Sequence, residues 1–140
     1  MARQFDEKKL VVATHNKGKL KEISELVGPF GITVIPPDEL NIPEPIEDGN
    51  TFIENAKIKA SSAVVNSGKT SLSDDSGLVV PALDGAPGIY SARWAGPEKN
   101  FTAAMTRLNN ELGNKDRRAF FVAALVLMWS DGHMEVFEGT

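Results

Sequence analysis

Ser73-Asp74-Asp75-Ser76-Gly77-Leu78 places two adjacent carboxylates between the β-prone Lys69–Leu72 and the apolar Leu78-Val79-Val80. Acidic groups at the end of a strand can bind a cation or an activated water, and Mg²⁺ in particular takes one or two carboxylates completed by waters and substrate phosphates. The same residue types also favour a solvated turn. A second segment is cationic: Thr14-His15-Asn16-Lys17-Gly18-Lys19, with Lys21 beyond it. It falls where a strand gives way to a helix, a place where free N–H groups and the helix dipole attract anions. Gly18 allows close backbone approach, but the spacing is not that of a P-loop. A capped helix with a basic solvated face accounts for it equally well. The third segment is Ile46-Glu47-Asp48-Gly49-Asn50, ahead of a helix bearing Glu54, Lys57 and Lys59. Glu47, Asp48 and Glu54 could face the Asp74–Asp75 pair, although Glu54 has a competing capping role.

These residues need a scaffold, and the pattern supplies one. Leu10–Ala13 is a short buried-strand signal. Leu20, Ile23, Leu26 and Val27 make a helical stripe closed by Gly28. Gly31–Ile35 reads as a second strand and Pro36–Pro45 as loop. Thr51 with Glu54 three residues on has the spacing of a capping box. Phe52, Ala56, Ala60, Ala63 and Val64 line one face of that helix, and Gly68 ends it. Leu78–Leu83 is expected as strand, with Pro81 pushing part of it to an edge. Asp84–Pro97 is expected as loop. Phe101, Met105, Leu108 and Leu112 mark another helix, capped by Asn100 or Thr102 and ended by Gly113. Arg118–Ser130 is expected as a long strand that turns at Asp131-Gly132 and returns as His133–Phe137. The alternation followed by a hairpin implies an α/β fold with a mixed β-sheet and flanking helices.

Composition narrows the classes. A chain of 140 residues fits one domain, and a net charge of −4 gives no basic field for nucleic acid or an anionic membrane. There is no cysteine, hence no disulfide, thiolate catalysis or sulfur-built zinc site, which suits a reducing cytosol. The N-terminus is polar, without an apolar signal core. The longest apolar run, Ala119–Trp129, is 11 residues and too short to span a bilayer. His15 and His133 have no partner at metal-ligand spacing. Trp94 and Trp129 lack a run of basic neighbours, so no nucleic-acid stacking platform is indicated.

Four motifs in order carry a resemblance: Thr14-x-Asn16-x-x-Lys19; Glu47-x-Gly49-x-Thr51-Phe52-x-Glu54-Asn55-Ala56-x-x-Lys59-Ala60; Asp74-Asp75-Ser76-Gly77-Leu78; and Gly85-Ala86-Pro87-Gly88-Ile89-Tyr90-Ser91-Ala92-Arg93. Together they resemble the inosine triphosphate pyrophosphatase family, the RdgB-type enzymes that act on non-standard purine nucleoside triphosphates. The resemblance runs from Leu10 onward. It implies Mg²⁺-dependent hydrolysis of ITP, dITP and XTP to monophosphate and pyrophosphate. It also implies two lobes around a nucleotide cleft, a homodimer and a cytoplasmic location. Thr14, His15, Asn16, Lys17, Gly18 and Lys19 would hold the triphosphate. Asp75 would be catalytic base and metal ligand, and Glu47 the second metal carboxylate. Ser76 would touch substrate and Lys59 would help neutralise the phosphates. The family continues past a segment like Phe137–Thr140, with a Phe-Gly-Tyr-Asp motif and a Ser-His-Arg motif that read the base. This sequence has neither, so a C-terminally incomplete domain is expected. Two other readings stay open: a triphosphate-binding domain without efficient turnover, and a phosphatase with an aspartate nucleophile.

Overall fold

The computed structural model describes residues 3–140. Strand β1 (Lys9–Val12) leads into helix α1 (Lys17–Val27), then β2 (Thr33–Ile35). Helix α2 (Phe52–Ser67) precedes β3 (Ser71–Val79), followed by the short α3 (Ser91–Ala95) and α4 (Phe101–Leu112). Strands β4 (Phe120–Met128) and β5 (Met134–Gly139) close the order. One five-stranded sheet runs β2-β1-β3-β4-β5. β1 pairs in parallel with β2 and β3, while β3–β4 and β4–β5 are antiparallel. This is the mixed sheet with flanking helices that the pattern implies.

Local chemistry sets the helix bounds. The Asn16 side chain accepts from the Lys19 amide at 3.1 Å and caps α1. The Thr51 hydroxyl accepts from the Glu54 amide at 3.0 Å, and the Glu54 carboxylate reaches back to the Asn50 amide at 2.6 Å. The reciprocal cap is thus displaced by one residue, and it occupies Glu54. At the other end of α2, Gly68 adopts φ +68° and donates to the Val64 carbonyl. Of the two caps open for α4, Asn100 serves, accepting from the Ala103 amide at 3.0 Å.

The core sits between α2 and one sheet face. Phe52, Ala56 and Ala60 pack on Val122, Ala124 and Val126. Ala63 packs on Val11, Ala13 and Ile42. The small residues of α2 let the helix lie close to the sheet, and each large aliphatic side chain buried there contributes about 1.5–3 kcal/mol. The opposite face of β4 leaves Phe121 and Leu125 exposed, with Phe137 beside Leu125 on β5.

The largest departure from the pattern lies at the acidic pair. The turn that these residue types also favour does not form: Ser71–Val79 is one uninterrupted strand. Nine consecutive residues of β3 pair with β4, from Ser71↔Met128 to Val79↔Phe120. The Ser73 hydroxyl donates to the Ala56 carbonyl, satisfying a polar group in the core. Packing and ladder bonds therefore override the turn preference of Ser, Asp and Gly. The strand ends at Val79, and Pro81–Leu83 is a 3₁₀ turn. The expected loops also hold structure: 3₁₀ turns at Pro37–Leu40 and Gly88–Tyr90, and α3.

Candidate active site

Because β3 is a continuous strand, its side chains alternate between faces. Asp75 stands opposite Ala124 and turns toward α2, while Asp74 stands opposite Leu125 on the other face. The two carboxylates therefore leave the strand on opposite faces, and their adjacency alone does not make them one ligand pair. Asp74 instead accepts from the Lys19 ammonium at 2.6 Å, with the Ser76 hydroxyl 3.5 Å from the same nitrogen.

Asp75 is in a different environment. Its Oδ2 is buried and has no hydrogen-bond partner. Burial holds its carboxyl above the usual range, against the pull of the Lys59 ammonium; Glu47 adds to the rise, Asn55 lowers it by hydrogen bonding, and Asp74 raises it further. Glu47 is brought to Asp75 by backbone anchors. Arg93 donates to the Glu47 carbonyl at 2.9 Å, and the Gly49 amide donates to the Asn55 side-chain oxygen at 2.8 Å. A Cβ on Gly49 would lie 2.7 Å from that oxygen, so the approach needs glycine. Lys59 closes the group with an ion pair to Glu47 at 3.3 Å.

These residues line a cleft of about 290 Å³. Thr14, His15, Asn16 and Lys19 line it together with Glu47, Lys59, Asp75 and Ser76. His15 also lies 3.4 Å from Asp38. Lys17 and Gly18, the first two residues of α1, do not line the cleft. Asn55 and Arg93 are additions: both stand inside the motifs, but their roles depend on loop contacts that no local pattern encodes. Lys99, also lining the cleft, falls between the expected Asp84–Pro97 loop and the helix cap at Asn100.

Among the described residues no group of three or more His, Cys, Asp or Glu could hold a metal ion. Glu47 and Asp75 both line the cleft, and the Glu47 charge raises the Asp75 carboxyl. That sparse, hard-oxygen set fits Mg²⁺ better than a closed protein cage, since Mg²⁺ keeps waters and shares substrate phosphates.

A mixed sheet with such a cleft is an α/β architecture with solved counterparts. The Staphylococcus aureus Ham1 protein superposes with a TM-score of 0.83 at 40% identity, over 94% of this chain and 69% of that one. A Mycobacterium abscessus nucleoside-triphosphatase, also described as a dITP/XTP pyrophosphatase, superposes at 0.78 and 36% identity, over 94% and 69%. The chain belongs to the Ham1 family, whose model matches residues 10–140. The dITP/XTP pyrophosphatase of Zymomonas mobilis is 53% identical over 98% of this chain and 68% of its own length. That of Bradyrhizobium diazoefficiens is 54% identical over 93% and 64%. The chain spans about two thirds of the length of these curated relatives.

Proposed function

We propose that this chain is a nucleoside triphosphate pyrophosphohydrolase. It hydrolyses dITP, XTP and ITP to the monophosphate and pyrophosphate and so clears non-standard purines from the nucleotide pool. The observation that carries this reading is the Asp75 carboxylate: buried, unpartnered at Oδ2, shifted up, and facing a cleft with a lysine-bearing wall. The names of the relatives supply the substrate class.

Water oxygen bonds to the α-phosphorus, the bond from that phosphorus to the bridging α–β oxygen breaks, and pyrophosphate leaves. Asp75 accepts the water proton on its carboxylate. Its raised affinity for a proton brings it nearer the working pH, where a base is most effective. Lys19 and Lys59 offset the charge of the phosphates, and Thr14 and Asn16 orient them. Ser76 lines the same cleft. When Mg²⁺ is bound by Glu47 and Asp75, it supplies charge neutralisation and a more acidic water.

The chain's span of its relatives favours a second reading, a triphosphate-binding domain without efficient turnover. The two separate when the purified chain is given dITP, XTP, ITP or dGTP with Mg²⁺ and pyrophosphate is measured. Pyrophosphate release from the first three supports hydrolysis. Binding without release supports the second reading. Orthophosphate release with a trapped aspartyl phosphate would overturn both. We place the enzyme in the cytoplasm as a homodimer, a proposal that rests on the family resemblance and is checked by light scattering on the purified chain and by fractionation. No described helix is long and apolar enough to cross a membrane.

A further inference from the structure

Three lysines line the cleft: Lys19, Lys59 and Lys99. Lys19 is bound by Asp74 at 2.6 Å and Lys59 by Glu47 at 3.3 Å. Lys99 forms no ion pair among the described residues, although Glu44 lines the same cleft and Glu98 is its neighbour in sequence. Its backbone is left-handed at φ +54°. The turn is fixed around it: its amide donates to the Gly96 carbonyl at 3.0 Å, and the Asn100 amide donates to the Ala95 carbonyl at 2.8 Å. Glycine would adopt that conformation without the cost of about 1 kcal/mol that a Cβ carries there. A costly backbone that sets an uncommitted cation on a cleft wall points to binding rather than to stability.

We propose that Lys99 is a polyphosphate-binding residue of this cleft, the cation available to a triphosphate without first giving up a carboxylate. The inference rests on the nucleotide reading above. A triphosphate carries several negative charges, and the two paired lysines are already partly neutralised. An ammonium with no bound carboxylate offers its full charge to the ligand. Its place just ahead of α4, where Asn100 caps the helix, keeps the side chain on a fixed base.

The test compares Lys99→Gln, Lys99→Gly and Lys99→Arg with the unaltered chain. Calorimetric titration with inorganic tripolyphosphate and with orthophosphate reads binding, and dITP turnover is measured alongside. The Gln and Gly variants should bind tripolyphosphate about tenfold more weakly, a loss of roughly 1.4 kcal/mol, with a smaller change for orthophosphate. Lys99→Arg should bind within about twofold of the unaltered chain. Lys99→Gly should melt no lower than the unaltered chain, because it relieves the left-handed backbone. Tripolyphosphate affinity unchanged in both Gln and Gly variants would overturn the proposal, as would a loss that follows a fall in melting temperature. If the unaltered chain releases pyrophosphate from dITP while the variants do so equally well, the function stands and the role of Lys99 fails. If the unaltered chain neither binds tripolyphosphate nor turns over dITP, both fail.

Discussion

Replacing Asp75 by Asn should sharply lower turnover and stabilise the fold. The two effects share one cause. Asp75 Oδ2 is buried without a partner, Glu47 and Asp74 repel its charge, and Lys59 compensates only in part because it is already paired with Glu47. A buried polar atom left unsatisfied costs about 1–3 kcal/mol. Asn keeps the shape and a polar amide, so a gain near the lower end, ~1 kcal/mol, is the reasonable figure. With an unfolding entropy of about 2.1 cal/mol/K per residue, that shifts the melting temperature of this 140-residue chain up by roughly 3 °C. The gain should depend on pH with a definite sign. The folded carboxyl holds its proton to higher pH than the unfolded one, whose ordinary value is 3.8. The native protein therefore keeps its stability below that value and loses it as pH rises through the folded value. Asn does not titrate, so the advantage of the variant opens across that window and then stays constant. Thermal unfolding in metal-free buffer from acid to neutral pH measures it. Turnover, measured separately, should fall about 10²–10⁴-fold. A variant that melts lower than the parent at neutral pH, or whose advantage does not change with pH, would refute the account of Asp75 as a strained base.

Gly77→Ala should destabilise by about 1–3 kcal/mol, since a Cβ there meets the Gly88 carbonyl and lies 2.7 Å from the Ser91 hydroxyl; chemical denaturation checks it, and a neutral result would mean that the 88–91 turn yields freely. Asn16→Ala should cost about 1 kcal/mol of stability through the lost cap, and it should also raise KM for dITP; steady-state kinetics beside urea melts separate the two effects. Chelating divalent ions should stop pyrophosphate release without lowering the melting temperature by more than about 1 °C, because the cleft is held by Arg93, Asn55 and Lys59 without metal.

Much of this was legible in the residues. The Leu10–Ala13 strand, the Thr51 and Gly68 bounds of α2 and the Asp131-Gly132 reversal follow from signals confined to a few neighbours, where sequence and local energy agree. The continuity of β3 was not legible. Ser73, Asp74, Asp75 and Gly77 prefer turns in isolation, and only the nine-residue ladder with β4 makes them strand. The site followed the same division. Thr14, Lys19, Glu47, Lys59 and Asp75 could be named through the motif order and the family resemblance, and the structure brings them to one cleft. The engagement of Lys19 by Asp74, and the holding of Glu47 by Arg93 and Asn55, needed contacts between residues 46 or more positions apart or across a loop.

Strand β3 carries ladder bonds to β4 along its whole length and to β1 at its start. Backbone amides in such a strand exchange with solvent chiefly when the entire sheet opens. Asp75 is thus fastened to the slowest-opening part of the molecule, while Thr14 to Asn16 lie in the loop between β1 and α1. Any adjustment to ligands of different length or shape falls to that loop. In the reaction proposed above, the Asp75 carboxylate would keep its place while the β1–α1 loop adjusts to the phosphates.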